Sequence, residues 1–123
     1  MSLFNSFEEI KAWKVSYNLT LKIYNITKDG LLAKDYGLKD QIQRSSVSIP
    51  SNISEGFERD SKKEFIRFLY IAKGSAGELR TQIYLAKDLG YINENLCVDL
   101  IDDVKHISAM IYNLIKYLKN VKT

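Results

Sequence analysis

Apolar residues recur along this chain at alternating steps of four and three, the spacing that keeps side chains on one face of an α-helix. The rhythm is cleanest in two places. Phe65, Leu69, Ala72, Ala76, Leu79, Ile83 and Ala86 follow it without a miss, and Leu100, Val104, Ile107, Ile111, Leu114, Leu118 and Val121 repeat it. Both runs carry boundary signals. Ser61-Lys62-Lys63-Glu64 is a capping box, in which serine and glutamate satisfy amides that a first helical turn leaves free. Gly90 ends the first run and Asn93 caps the second.

An earlier helix is expected after a similar box, Ser6-Phe7-Glu8-Glu9. Ile10, Trp13, Tyr17, Leu21 and Tyr24 mark its apolar face, Leu19, Ile23 and Ile26 broaden it, and Asp29-Gly30 stops it. A loop through Asp35 and Gly37 then leads to a helix over residues 38–57. Pro50 should kink or break that helix just before itself, because it lacks an amide hydrogen and its ring crowds the preceding turn. Ser46 loses its amide partner there. No segment reads as a strand. Seams this long imply helices crossing at about 20°, and the short connections at 57–61 and 90–93 force antiparallel neighbours. The pattern therefore predicts an all-α protein: one antiparallel up-and-down four-helix bundle over residues 1–123, its second helix kinked near Pro50.

A polar strip changes that picture locally. Gln41, Ser45, Ser48, Asn52 and Glu55 share one face of the second helix, beside Ile42, Ile49, Ile53 and Phe57. Short Ser and Asn side chains disfavour helix, whereas a solvated face would favour Lys and Glu. Ser75, Glu78 and Gln82 form a matching line on the third helix. If the two lines meet, Ser48 and Asn52 can bond Glu78 or Gln82 in a partly buried layer, with Arg44, Arg59 or Arg80 near the carboxylates. Glu55 and Arg59 are also spaced for a local pair. A packing layer of Ser48, Asn52, Glu55, Ser75, Glu78 and Gln82 is the first reading, an interface the second, a small-molecule site the third. Gly74-Ser75-Ala76-Gly77 superficially resembles a phosphate loop, but it lies within the unbroken seam and lacks the following Lys-Ser/Thr. It reads as helix interior, where a neighbouring helix is expected to approach closely.

Composition and charge narrow the function classes. With 123 residues, 46% apolar and 27% charged, one proline and six glycines, the chain has the balance of a single globular domain. A net charge of +3 permits nucleic-acid contact without arguing for it. Arg59, Lys62, Lys63 and Arg67 cluster around the start of the third helix, and after Asp103 there are no acids while Lys105, Lys116, Lys119 and Lys122 accumulate. Cations suit a helix C-terminus. The functional reading is phosphate contact, with Arg44, Arg59, Lys62, Lys63 and Arg67 as candidates.

Catalytic chemistry finds little support. His106 is the single histidine, with Asp103 three residues before it, which is half of a di-iron motif with the wrong acid. Cys97 is too far from it for one helical ligand cluster and supplies no zinc set. No elbow or oxyanion loop accompanies the serines. The expectation is no catalytic residue, no metal and no cofactor. A lone cysteine fits a reducing compartment, and no apolar run reads as a signal peptide or a membrane span, so a cytoplasmic location is expected. Eight tyrosines, five phenylalanines and Trp13 exceed what such a core hides. Tyr17, Tyr24, Tyr70, Tyr84, Tyr112 and Tyr117 are expected at core margins or an interface, which points to a homo-oligomer.

Trp13, Tyr36-Gly37-Leu38, Gln41-Ile42, Arg44, Ser48-Ile49-Pro50-Ser51-Asn52-Ile53, Glu55-Gly56, Arg59, Phe65, Phe68-Leu69, Ala72, Gly74-Ser75 and Glu78-Leu79 carry a resemblance over residues 7–120. Together they resemble the four-helix-bundle family of 23S rRNA intervening-sequence proteins. One departure is visible: the usual Arg-Arg-Ala run reads Arg44-Ser45-Ser46, so a basic residue is missing and nucleic-acid contact through that helix is weakened. The family is similar to accessory proteins of diversity-generating retroelements, homopentameric barrels that contact nucleic acid and a reverse transcriptase. The resemblance implies a pentamer, contact with RNA or DNA, and a nucleic-acid enzyme as a further partner. No biochemical activity is established for the family itself. The expected function is a non-enzymatic homo-oligomeric bundle acting as a nucleic-acid- or ribonucleoprotein-associated adaptor. The alternative is a protein-binding scaffold without nucleic-acid contact.

Overall fold

Every regular element is helical in the computed structural model, which describes residues 3–121; Lys122 lies outside them. A 3-10 turn, Phe7–Glu9, precedes α1 (Lys11–Ile26), α2 (Gly30–Lys34), α3 (Tyr36–Glu58), α4 (Lys62–Asp88) and α5 (Glu94–Asn120). Among the described residues there is no strand. α3 packs most extensively on α4, α4 packs on α5, and α1 lies mainly against α3 with a smaller contact to α5. The Lys62 ammonium bonds the Val121 carbonyl, and Lys87 pairs with Glu94 at 3.1 Å, so the two ends of α4 meet the opposite ends of α5.

The α4 and α5 boundaries follow the capping chemistry read from the sequence. Ser61 Oγ accepts the Glu64 amide and Asn93 Oδ1 accepts that of Leu96. At the end of α4, Gly90 takes φ +80°, the Tyr91 amide bonds Ala86 O at 2.8 Å and the Gly90 amide bonds Lys87 O at 3.0 Å. That pair of bonds is a Schellman closure. The expected α4 seam is buried throughout, and α5 buries Leu100, Val104, Ile107, Ile111 and Leu118 along with Cys97, Ile101 and Ile115.

The N-terminal third departs from expectation. Ser6 makes no cap, and Glu9 Oε1 instead accepts the Asn5 amide at 3.1 Å. Ile10, 2% exposed, enters the core on extended backbone, so α1 starts after it rather than after Ser6. The buried face of α1 is Ala12, Ser16, Leu19 and Ile23, while Tyr17, Leu21 and Tyr24 point outward. Small Ala12 and Ser16 let α1 lie close to its neighbours, and the larger apolar side chains are left on the margin. The stretch expected as a loop holds α2, a single short helix that sets Leu32 into the core.

α3 continues through Pro50 without the expected break. Ser46 is fully buried, and Pro50 offers its carbonyl no amide. Thr20 Oγ1 of α1 lies 2.9 Å from that carbonyl and 3.0 Å from Ser16 O. The hydroxyl has one hydrogen. Ser16 O already sits within the helical ladder, so the donation goes where the partner is missing. Sequence reading foresaw the vacancy but not its occupant.

The expected close approach at Gly74 and Gly77 does not occur either: a Cβ added at each would meet nothing within 4 Å. Both are exposed on α4. The close approach is at buried Gly56, where an added Cβ would lie 2.6 Å from Phe68 Cβ. There the α3–α4 pair closes onto the first turns of α4.

Candidate functional site

The two polar lines do converge between α3 and α4, with partners other than those expected. Ser48 Oγ and Ser75 Oγ are 2.8 Å apart across the helices. Asn52 turns back along its own helix, donating to Ser48 O at 2.8 Å and Ser48 Oγ at 2.9 Å, and bonds neither Glu78 nor Gln82. Glu78 is exposed. Gln82 is 9% exposed, and its Oε1 is the buried side-chain atom among the described residues that lacks a hydrogen-bond partner. Gln41, Arg44, Ser45, Ser48, Glu78 and Gln82 line an open groove of about 400 Å³ above this layer. Glu55 stands outside it, bonded to Arg59 at 2.9 Å.

The candidate phosphate contacts fall into two places. Arg44 sits alone on α3, bonded to Asp40 at 2.8 Å. Arg59, Lys62, Lys63 and Arg67 gather at the α3–α4 corner. Arg59 pairs with Glu55 at 2.9 Å and Glu64 at 3.6 Å, while Arg67 pairs with Glu64 at 3.1 Å. Both guanidinium groups also lie over Phe68, at 4.9 and 4.5 Å from its ring centre. The Arg67 hydrogen bond, chiefly, holds the Glu64 carboxyl below its ordinary pKa. Lys62 is held by the Val121 carbonyl. Lys63 is exposed and carries no hydrogen bond or ion pair among the described residues. These surface pairs are weak, typically under about 1 kcal/mol each, so an incoming phosphate can compete for the arginines.

Aromatic side chains occupy the margins. Tyr17, Tyr24, Tyr70, Tyr84, Tyr112 and Tyr117 are all between 42% and 54% exposed. Along α1 and α3, Phe7, Trp13, Tyr17, Leu21, Val47 and Pro50 border an apolar groove of about 320 Å³. Trp13 stacks on Tyr17 at 5.0 Å and meets Phe7 edge-on at 5.3 Å. On the far side, cations stand over exposed tyrosines: Lys119 over Tyr70 at 5.2 Å, Lys116 over Tyr112 and Arg80 over Tyr84, both at 5.9 Å. Sequence reading noted these tyrosines and the tail lysines separately but not their pairing: Arg80–Tyr84 and Tyr112–Lys116 lie four residues apart on one helix, whereas Lys119–Tyr70 depends on how α4 and α5 sit together.

His106 is exposed on α5, and Asp103 turns from it to Lys22 of α1 at 3.1 Å. Among the described residues no His, Cys, Asp and Glu side chains group as a metal site. No helix among them is long and apolar enough to cross a membrane. Cys97 is buried, and its thiol pKa is raised mainly by that burial.

The family described as 23S rRNA-intervening sequence protein matches residues 8–113. The chain belongs to that family. Among solved structures, a protein of unknown function from the S23 ribosomal protein family of Bacteroides thetaiotaomicron is similar, at 27% identity and a TM-score of 0.78. The alignment covers 85% of this chain and 95% of that one, so the helical architecture is shared over most of this chain. A comparison with curated proteins returned no match. Within the 23S rRNA-intervening sequence family, then, the features to be explained are the α3–α4 polar layer and two aromatic margins.

Proposed function

We propose that this chain is a non-enzymatic, self-associating adaptor of the cytoplasm that works with nucleic acid or a ribonucleoprotein. In this reading α1, α3, α4 and α5 form an antiparallel up-and-down four-helix bundle with α3 bent at Pro50, and five copies assemble, as the family resemblance implies. The observation that carries it is the uncovered apolar margin of α1 and α3. Tyr17, Leu21, Tyr24 and Val47 remain 38–56% exposed in one chain, beside a groove floored by Pro50. Contiguous apolar surface of this kind marks an interaction site, and its aromatic character suits a protein contact. The nucleic-acid part is supported by the family's description and by Lys63, Arg59 and Arg67 at the α3–α4 corner. Light scattering tests the assembly: five times the 14.2 kDa chain mass is expected, and a monomer overturns it. Loss of assembly in a Tyr17→Glu, Leu21→Glu variant would place the contact on α1.

The second reading, a scaffold that binds only protein, is favoured by the ion pairs that already occupy Arg44, Arg59 and Arg67. A salt titration separates the two. Affinity for RNA or DNA should be strong near ~50 mM salt and fall steeply with added salt. No binding at low salt, together with unimpaired function after charge reversal of Lys62, Lys63 and Arg67, would leave the scaffold.

A further inference from the structure

Three properties mark the outward seam of α4 and α5. First, it is poor in acids: α4 has none from Phe65 through Gly77, with exposed Glu78 next, and α5 has none after Asp103 up to Val121. Lys73, Lys105, Lys116 and Lys119 lie in these stretches, and none is in an ion pair among the described residues. Second, the tyrosines are accessible and already attended by cations. Tyr70 is 45% and Tyr112 48% exposed; Lys119 Nζ donates to Tyr70 Oη at 2.9 Å, which joins the α5 face to the α4 face. Third, the floor between them is bare. Tyr70, Gly74, Gly77 and Tyr84 follow one another on a single face of α4, and both glycines open onto empty space. The two tyrosines are 14 positions apart, roughly 21 Å along a helix. Each glycine costs helix stability, about 1 kcal/mol, and no packing within the chain offsets it.

We propose that this seam binds single-stranded nucleic acid, with unpaired bases stacked on Tyr70 and Tyr112 and phosphates held by Lys116 and Lys119. The inference rests on the nucleic-acid part of the function proposed above and gives it a place and a form. An aromatic face is useful only to a base that is out of its pair, since a duplex buries base faces in its own stack. Lysines beside the rings meet the backbone that joins successive bases. Glycines let flat bases and sugar approach the helix between the tyrosines without meeting a Cβ. Charge complementarity selects this occupant over a second copy of the chain, because Lys73, Lys105, Lys116 and Lys119 bring cations to the seam and no acid lies on α4 from Phe65 through Gly77 or on α5 after Asp103.

The test is fluorescence anisotropy of the full-length protein with labelled single-stranded RNA, single-stranded DNA and a duplex of the same sequence, at several salt concentrations. Binding to either single strand at least tenfold tighter than to duplex is expected, and comparison of RNA with DNA identifies the source. Tyr70→Ala with Tyr112→Ala should weaken binding on the order of tenfold or more, whereas Tyr70→Phe with Tyr112→Phe, which keeps both rings, should not. Lys116→Gln with Lys119→Gln should reduce the slope of log affinity against log salt by about 1.4, two charges at roughly 0.7 each for a single strand. Gly77→Leu should weaken binding while the helix itself gains stability, so lost affinity there is not misfolding. Equal affinity for duplex, or Tyr→Ala variants that bind normally, overturns the seam while leaving nucleic-acid binding elsewhere intact. No binding of any nucleic acid overturns the wider reading as well. Dissociation of the oligomer by Gly77→Leu assigns the seam to a second copy and overturns the proposal.

Discussion

The Thr20 hydroxyl donates to the Ser46 carbonyl at 2.9 Å, supplying from α1 the hydrogen that Pro50 cannot supply within α3. A fully buried carbonyl without a partner is costly, about 1–3 kcal/mol. Thr20→Val should therefore destabilise the protein by that amount, and Thr20→Ser should not. Pro50→Ala restores a helical amide to Ser46, so in that background Thr20→Val should cost about 1 kcal/mol or less. Urea unfolding of the double-mutant cycle at one protein concentration measures the coupling. Equal losses with and without Pro50 would show that the hydroxyl serves something else.

The glycines of α3 and α4 should respond in opposite directions to alanine. Gly56→Ala forces a Cβ to 2.6 Å from Phe68 Cβ and 3.3 Å from the Phe65 carbonyl, both on a helix that cannot give way easily. A loss of about 1–3 kcal/mol is expected from such overpacking. Gly74→Ala and Gly77→Ala meet nothing and improve helix propensity, so each should stabilise by about 1 kcal/mol. Thermal and urea unfolding of the three variants suffice; destabilisation at Gly77 in the isolated chain would refute the open surface.

Gln82→Leu should raise stability. The amide oxygen is buried and unpartnered, so removing it ends a desolvation cost that nothing in the chain offsets, on the order of 1 kcal/mol. Leucine also suits the α4 seam between Leu79 and Ile83. A clear loss of stability in Gln82→Leu would mean that the amide has a partner in solution.

Lys22 bridges α1 to Asp99 and Asp103 of α5, and its pKa is raised, first by the Asp99 hydrogen bond, against a desolvation that lowers it. A raised lysine pKa contributes stability that is fully present below the ordinary lysine value, about 10.4, and is lost as pH climbs through the folded value. The bridge is partly exposed and so modest. Unfolding midpoints should fall more steeply above about pH 10 in the wild type than in Lys22→Met. Parallel curves would show no net contribution from the bridge.

How much of this was legible depended on which forces were local. α4 and α5 were readable because long, unbroken apolar seams and caps at Ser61, Gly90 and Asn93 leave one solution. On α1 the inward Leu19 and Ile23 and the marginal Tyr17 and Tyr24 were read correctly, but size and apolarity also favoured Trp13 and Leu21, of which Trp13 is half-buried and Leu21 exposed. Packing instead selected small Ala12 and Ser16, which allow helices to approach, and pushed the tyrosines outward. α2 carries one buried side chain, Leu32, too little for any periodicity. In the polar layer Ser48 and Ser75 were visible in the sequence but not their 2.8 Å pairing, because that depends on the register between α3 and α4, which no local signal states. The Tyr70–Lys119 pair needed the same kind of knowledge, since the two are neighbours only once α4 and α5 are aligned, whereas Tyr112–Lys116 is a local four-residue spacing that was open to reading.

The α3–α4 corner bears on how copies of this chain can combine. Asp60 holds a left-handed φ of +51° between the two helices, Ser61 caps the second, and Phe68 is seated on Gly56 beneath two arginines. Domain exchange through this corner would require it to straighten so that α3 and α4 run on as one rod. Straightening withdraws Phe68 from its seat, removes the cap and uncovers a glycine where the rod would need a side chain to hold it rigid. Subunits of this chain should therefore not trade α4 and α5 through this corner, and any assembly that leaves it closed can form and separate without unfolding it.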